Sequence, residues 1–96
     1  MATAAQSQII ALEPHAVYRQ TNAGLTMLFD RTKGVMYELN ESASAVITIL
    51  STGPQSWDEI IAELLNQFDA PREEIETDVR TFVDEFTEAG LLKADD

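Results

Sequence analysis

Two hydrophobic periods divide this chain. Up to residue 39 apolar side chains come in short runs that tend to alternate with polar ones, and from residue 42 onward they recur every third or fourth position. The first period suits strands with one face buried, the second amphipathic helices. Ala16-Val17-Tyr18-Arg19-Gln20 reads as a first strand, Leu25-Thr26-Met27-Leu28-Phe29 as a second and Val35-Met36-Tyr37-Glu38-Leu39 as a third. Thr21-Asn22-Ala23-Gly24 and Asp30-Arg31-Thr32-Lys33-Gly34 are the turns between them, with Gly34 suited to a left-handed or bulged position. Connections this short imply an antiparallel meander. In the third strand the alternation sends Val35, Tyr37 and Leu39 inward and leaves Met36 and Glu38 facing solvent.

The helical half is punctuated as clearly. Asn40, Glu41 and Ser42 offer capping side chains to a helix that carries Ala43, Val46, Ile47 and Leu50 and runs to about Thr52, before Gly53-Pro54 stops it. Ser56-Trp57-Asp58-Glu59 has the form of a capping box, and Trp57, Ile60, Ile61, Leu64, Leu65 and Phe68 form the stripe of a second helix. Pro71 restarts the chain into a third, with Glu73, Glu74 and Glu76 in or near its first turn and Ile75, Val79, Phe82, Val83 and Phe86 along one face. Gly90 is a C-terminal cap, after which Leu91 and Leu92 tuck back before a charged tail. The expected fold class is α+β, a three-stranded antiparallel sheet followed by three helices. Residues 1–13 are expected to form a flexible tail, although Ile9, Ile10 and Leu12 are apolar enough to pack on something, and residues 14–93 a single domain.

Composition narrows the function. With 96 residues there is room for one small core, and with no cysteine there is neither disulfide nor thiolate chemistry. The formal net charge is -11: residues 56–96 hold 13 acidic and 3 basic side chains, residues 1–55 only 4 and 3. The six basic residues are scattered, so the clustered cations of a nucleic-acid reader are missing. No apolar stretch approaches a membrane span and no signal peptide is visible, which leads us to expect a cytoplasmic protein. His15 is the sole histidine and has no catalytic partner in view, the four glycines stand singly at turns and caps, and the carboxylates have the spacing of solvated helix faces. Neither a catalytic site nor a cofactor or metal site is expected. Trp57 is open to two readings, a core side chain or an exposed anchor.

The remaining clue lies in the backbone. A three-stranded meander has two edges, and the third strand, free of proline and carrying Met36, leaves an edge receptive to an added strand. If the third helix lies across from that edge, a guest peptide would sit between backbone pairing on one wall and helix side chains on the other. Ile75, Val79 and Val83 are candidates for its apolar wall, and Arg72, Glu76 and Arg80 for flanking charge. The competing reading makes the first set core and the second solvated.

Gly34-x-x-Tyr37-x-Leu39-Asn40, Ser42-Ala43 opening an apolar helix, Ser56-x-Asp58-Glu59-Ile60 after a glycine turn, Asp78-Val79, Phe82-Val83 and Gly90-Leu91-Leu92 together resemble the PqqD-like family, over roughly residues 14–93. The resemblance implies a RiPP recognition element: a non-catalytic domain, winged helix-turn-helix-like in fold, that binds the leader segment of a ribosomally made precursor peptide and presents it to modifying enzymes. It implies that the leader adds as a strand along Val35, Met36, Tyr37, Glu38 and Leu39, and that Asp78, Val79 and Val83 face or border the groove. Within that strand, Tyr37 and Leu39 would be inward-facing supports. Gly34-Val35-Met36 departs from the pyrroloquinoline quinone pathway's own protein. The implied partners are a precursor leader and either a radical SAM enzyme or the leader peptidase of a lasso peptide pathway. Two alternatives use the same parts: a winged-helix DNA-binding regulator, which the acidic third helix opposes, and a scaffold that forms a homodimer through the edge strand.

Overall fold

The computed structural model describes residues 8–21 and 26–95. Strands β2 (Ala16–Gln20), β3 (Thr26–Asp30) and β4 (Val35–Leu39) form the expected antiparallel meander in the order β2-β3-β4. Leu28 is paired with Tyr18 on one side and Tyr37 on the other, and Phe29 with Val17 and Met36. The first of the two expected turns lies largely outside the described residues. The second is built on Asp30, whose carboxylate accepts the backbone N–H groups of Thr32 at 2.9 Å and Lys33 at 3.1 Å. Gly34 then takes a φ of 72°, the left-handed conformation expected of it.

Helices α1 (Glu41–Leu50), α2 (Trp57–Gln67) and α3 (Arg72–Glu88) follow. Asn40 caps α1 by accepting the Ala43 N–H at 2.8 Å, and the helix stops two residues short of Thr52. The capping box of α2 is complete: Ser56 Oγ accepts the Glu59 N–H at 3.1 Å, and Glu59 Oε1 accepts the Ser56 N–H at 3.0 Å. The Ser56 backbone N–H foremost, and the Ser56 hydroxyl after it, hold the Glu59 carboxyl below its ordinary value. The last turn of α3 is closed on both sides of Gly90, with the Gly90 N–H bonded to Thr87 O at 3.1 Å and the Leu91 N–H to Phe86 O at 2.9 Å.

A second sheet was not foreseen. β1 (Ile9–Leu12) lies between β5 (Gln55–Ser56) and β6 (Leu92–Asp95), antiparallel to both. The flexible tail expected through residue 13 is therefore corrected from Ile9 onward. Ile10 is 0% exposed, and β1 supplies backbone pairing to two segments that are too short to form a sheet by themselves. The charged tail expected after Leu92 is likewise a strand. Residues 1–7 lie outside the described residues.

The core sits between the helices and the inner faces of the two sheets and includes Ile10, Leu28, Val46, Ile47, Ile60, Ile61, Leu64, Val79, Val83, Leu91 and Leu92. Trp57, 5% exposed, belongs to it, and the Arg80 guanidinium lies 4.3 Å from its ring centroid; the reading as an exposed anchor falls. Two contacts tie the end of α3 to the β2-β3-β4 half: His15 Nε2 to Gly90 O at 2.7 Å and Lys33 Nζ to Ala89 O at 3.2 Å. They set the helix at a defined height against β4.

Candidate functional site

β4 is an edge. Its one neighbour among the described residues is β3, so the far side of its backbone carries N–H and C=O groups without a strand partner. α3 runs alongside in the opposite direction, as three contacts along its length show. Lys33, just before β4, reaches Ala89; Tyr37 meets Phe86 with ring centroids 5.2 Å apart; and the end of β4 faces Asp78, Val79 and Phe82 across a groove.

That groove encloses about 360 Å³. Its floor is apolar: Leu39 from β4, Ala43 and Val46 from α1, and Val79, Phe82 and Phe86 from α3. The rim is acidic and hydroxylic, with Glu38, Asp78, Glu85, Ser42 and Thr81, and no Lys or Arg lines it. The helix side follows from spacing alone, because positions 78, 82, 85 and 86 fall at i, i+4, i+7 and i+8 and share one face. Phe86 also packs on Phe82 with ring centroids 4.5 Å apart, so an aromatic pair links β4 to the floor through Tyr37. An edge that offers hydrogen bonds beside an apolar trough with a polar rim can hold an extended peptide.

The structure gathers some of the expected residues here and sends others elsewhere. Glu38, Leu39, Asp78 and Val79 line the groove. Tyr37 is half-buried and supports it from beneath, as expected, while Met36 is 57% exposed on the outer face of the sheet. Val35, expected to point into the core, is 40% exposed.

Ile75 and Val83 are buried in the core and do not line the groove. Arg72 is occupied with Glu76 on the exposed side of α3, N–O 3.2 Å. Arg80 turns to Trp57, Asp84 and the Gln8 side chain, away from the groove. Ile75 and Val83 are thus core, as the competing reading has them, and Arg72 and Glu76 pair with each other on α3, whereas Arg80, packed on Trp57, follows neither reading. Missing from the expected set are Asn40, Ser42, Ala43 and Val46 at and after the start of α1, and Thr81, Phe82, Glu85 and Phe86 on α3. Those on α3 were reachable from Asp78 by helical spacing; those on α1 were not, because nothing local says that α1 closes the groove's end.

Residues 26–92 match the family described as Coenzyme PQQ synthesis protein D (PqqD). The chain belongs to the PqqD family. The match spans β3, β4 and all three helices, and so contains both walls of the groove. Two solved structures share the fold of this PqqD family member. One is TbiB1 in complex with the TbiA(beta) leader peptide, 19% identical, with a TM-score of 0.77 over 86% of this chain and 94% of that one. The other is lasso peptide synthetase B1 complexed with the leader peptide, 25% identical, with a TM-score of 0.73 over 88% of this chain and 96% of that one. No curated protein sequence matches the chain. The expected α+β, winged helix-turn-helix-like architecture holds, with the second sheet added to it.

Proposed function

We propose that this protein is a RiPP recognition element, which binds the leader of a ribosomally synthesised precursor peptide by strand addition to β4 and presents it, without catalysis, to the pathway's modifying enzymes. The observation that carries this reading is the unpaired edge of β4 beside an apolar groove walled by α3. Two leader-peptide complexes of the same fold support it. Leader backbone would pair with residues 35–39, and apolar leader side chains would rest on Leu39, Val79, Phe82 and Phe86. Binding fixes one conformation of a flexible segment and raises the effective concentration of the attached core peptide at the enzyme.

The likeness to a lasso peptide synthetase favours a separate leader peptidase as the partner, with a radical SAM enzyme as the other class. The cytoplasm, where precursors are made, is the proposed compartment. Among the described residues no helix is long and apolar enough to cross a membrane, and no group of three or more His, Cys, Asp or Glu is placed to hold a metal ion. DNA binding has the charge distribution against it: the face of α3 beside the groove carries Asp78 and Glu85 and no cation.

Calorimetry with the leader of a precursor encoded beside this gene tests the proposal. One leader per chain, together with slowed amide exchange along β4, is the expected result. A folded protein that leaves such leaders unbound overturns it, and a self-paired β4 released by leader would show in light scattering as dimer converting to monomer.

A further inference from the structure

The face of the β2-β3-β4 sheet turned away from the core has an organisation that core packing does not require. Its residues form two cross-strand rows, Val17–Phe29–Met36 and Arg19–Met27–Glu38. The first row is apolar throughout, although Val17 and Phe29 are only half-buried and Met36 is 57% exposed. The second row ends on Glu38, which has no ion-pair partner among the described residues. Both rows terminate on β4, at the open edge.

A strand paired with β4 lengthens each row by one residue, because side chains directly across from each other share a face. Its residue opposite Met36 extends the apolar row, its residue opposite Glu38 extends the charged one, and the residue between them points inward toward Tyr37 and Phe86. We propose that β4 reads its guest on both faces: an apolar side chain meets Met36 and Phe29 on the outer face, and a Lys or Arg two residues away meets Glu38, while the intervening side chain enters the groove. The acidic rim strengthens the choice of a cation, since Asp78 and Glu85 add negative potential and no basic residue lines the groove to offset it. Basic-x-apolar in the guest corresponds to antiparallel addition and apolar-x-basic to parallel addition, so the order of the pair reports the strand's direction. This inference rests on strand addition to β4, and it adds that specificity comes from the sheet's outer face as well as from the groove.

A displayed library of random ten-residue peptides, selected separately on the wild-type protein, Glu38→Lys and Met36→Lys, tests it. Both substitutions are at exposed positions, and their folding is checked by thermal unfolding. Wild-type protein should enrich peptides with a basic and an apolar residue two positions apart, Glu38→Lys should replace the basic residue with Asp or Glu, and Met36→Lys should abolish the apolar preference. For one wild-type-selected peptide, Glu38→Lys should weaken binding about three- to fivefold, and exchanging the peptide's basic residue for Glu should restore it. Peptides that bind and protect β4 from amide exchange, yet show no such pair and no restoration, overturn the outer-face inference and leave strand addition standing. Folded protein that enriches no peptide and also fails to bind its neighbouring leader removes both.

Discussion

Single residues divide here between those that hold the groove and those that touch what enters it. Tyr37 belongs to the first kind: it points inward from β4, packs on Phe86, and through Phe86 and Phe82 fixes the distance between sheet and helix. Replacing it with Ala should cost about 2 kcal/mol, less than a fully buried ring because the side chain is half-exposed, and urea unfolding measures it. Loss of leader binding without loss of stability would contradict this supporting role. Glu59 acts far from the groove, in the capping box of α2, and makes stability pH-dependent. Its carboxyl is depressed in the folded state, so its contribution is present above the ordinary carboxylate range and is lost as the pH falls through the depressed value. The melting temperature of the wild type should therefore exceed that of Glu59→Ala at neutral pH, and the gap should close on acidification. Tyr37 and Glu59 were both legible from sequence because their roles follow from local period and local spacing. The positions of Arg72 and Arg80 were not, since a cation on a helix can serve a guest, a neighbouring carboxylate or an indole, and only the helix's rotation decides.

At the scale of elements, β4 and β1 behave in opposite ways toward their edges. β4 keeps one side open, and strand addition there has a backbone signature. N-methylating a bound leader position by position should weaken binding at alternate residues, about two- to tenfold at each, because N–H groups along a strand point alternately toward and away from the partner. Equal losses at every position would rule out strand addition. β1 has both sides occupied, between β5 and β6. Deleting residues 1–12 removes the middle strand of that sheet together with the fully buried Ile10, and should abolish cooperative unfolding as followed by circular dichroism. A truncated protein that unfolds like the full chain would show that the second sheet is dispensable. The meander and the three helices announced themselves through period, caps and turns. β1 and β6 did not, because each is only 4 residues long and is stabilised by partners more than 40 residues away or at the opposite end of the chain.

For the whole molecule the governing quantity is the net charge of -11, most of it in the helical half that walls the groove. A guest carrying the proposed basic residue should be drawn in by this field, so raising ionic strength should slow association by up to about tenfold while changing dissociation less, as stopped-flow fluorescence would show. An association rate indifferent to salt would argue against a cationic leader. Charge, period and capping are properties of composition and near neighbours, and they were enough by themselves to determine an acidic α+β chain with a strand edge near residues 35–39 and an amphipathic third helix. Tertiary structure alone decided that α3 runs antiparallel to that edge, that α1 closes the groove with Ala43 and Val46, that Ile75 and Val83 turn to the core, and that Ile9–Leu12 form a central strand. Those outcomes depend on contacts between residues far apart in the chain, such as Lys33 with Ala89 and His15 with Gly90, and no local pattern encodes the angle at which two packed elements meet.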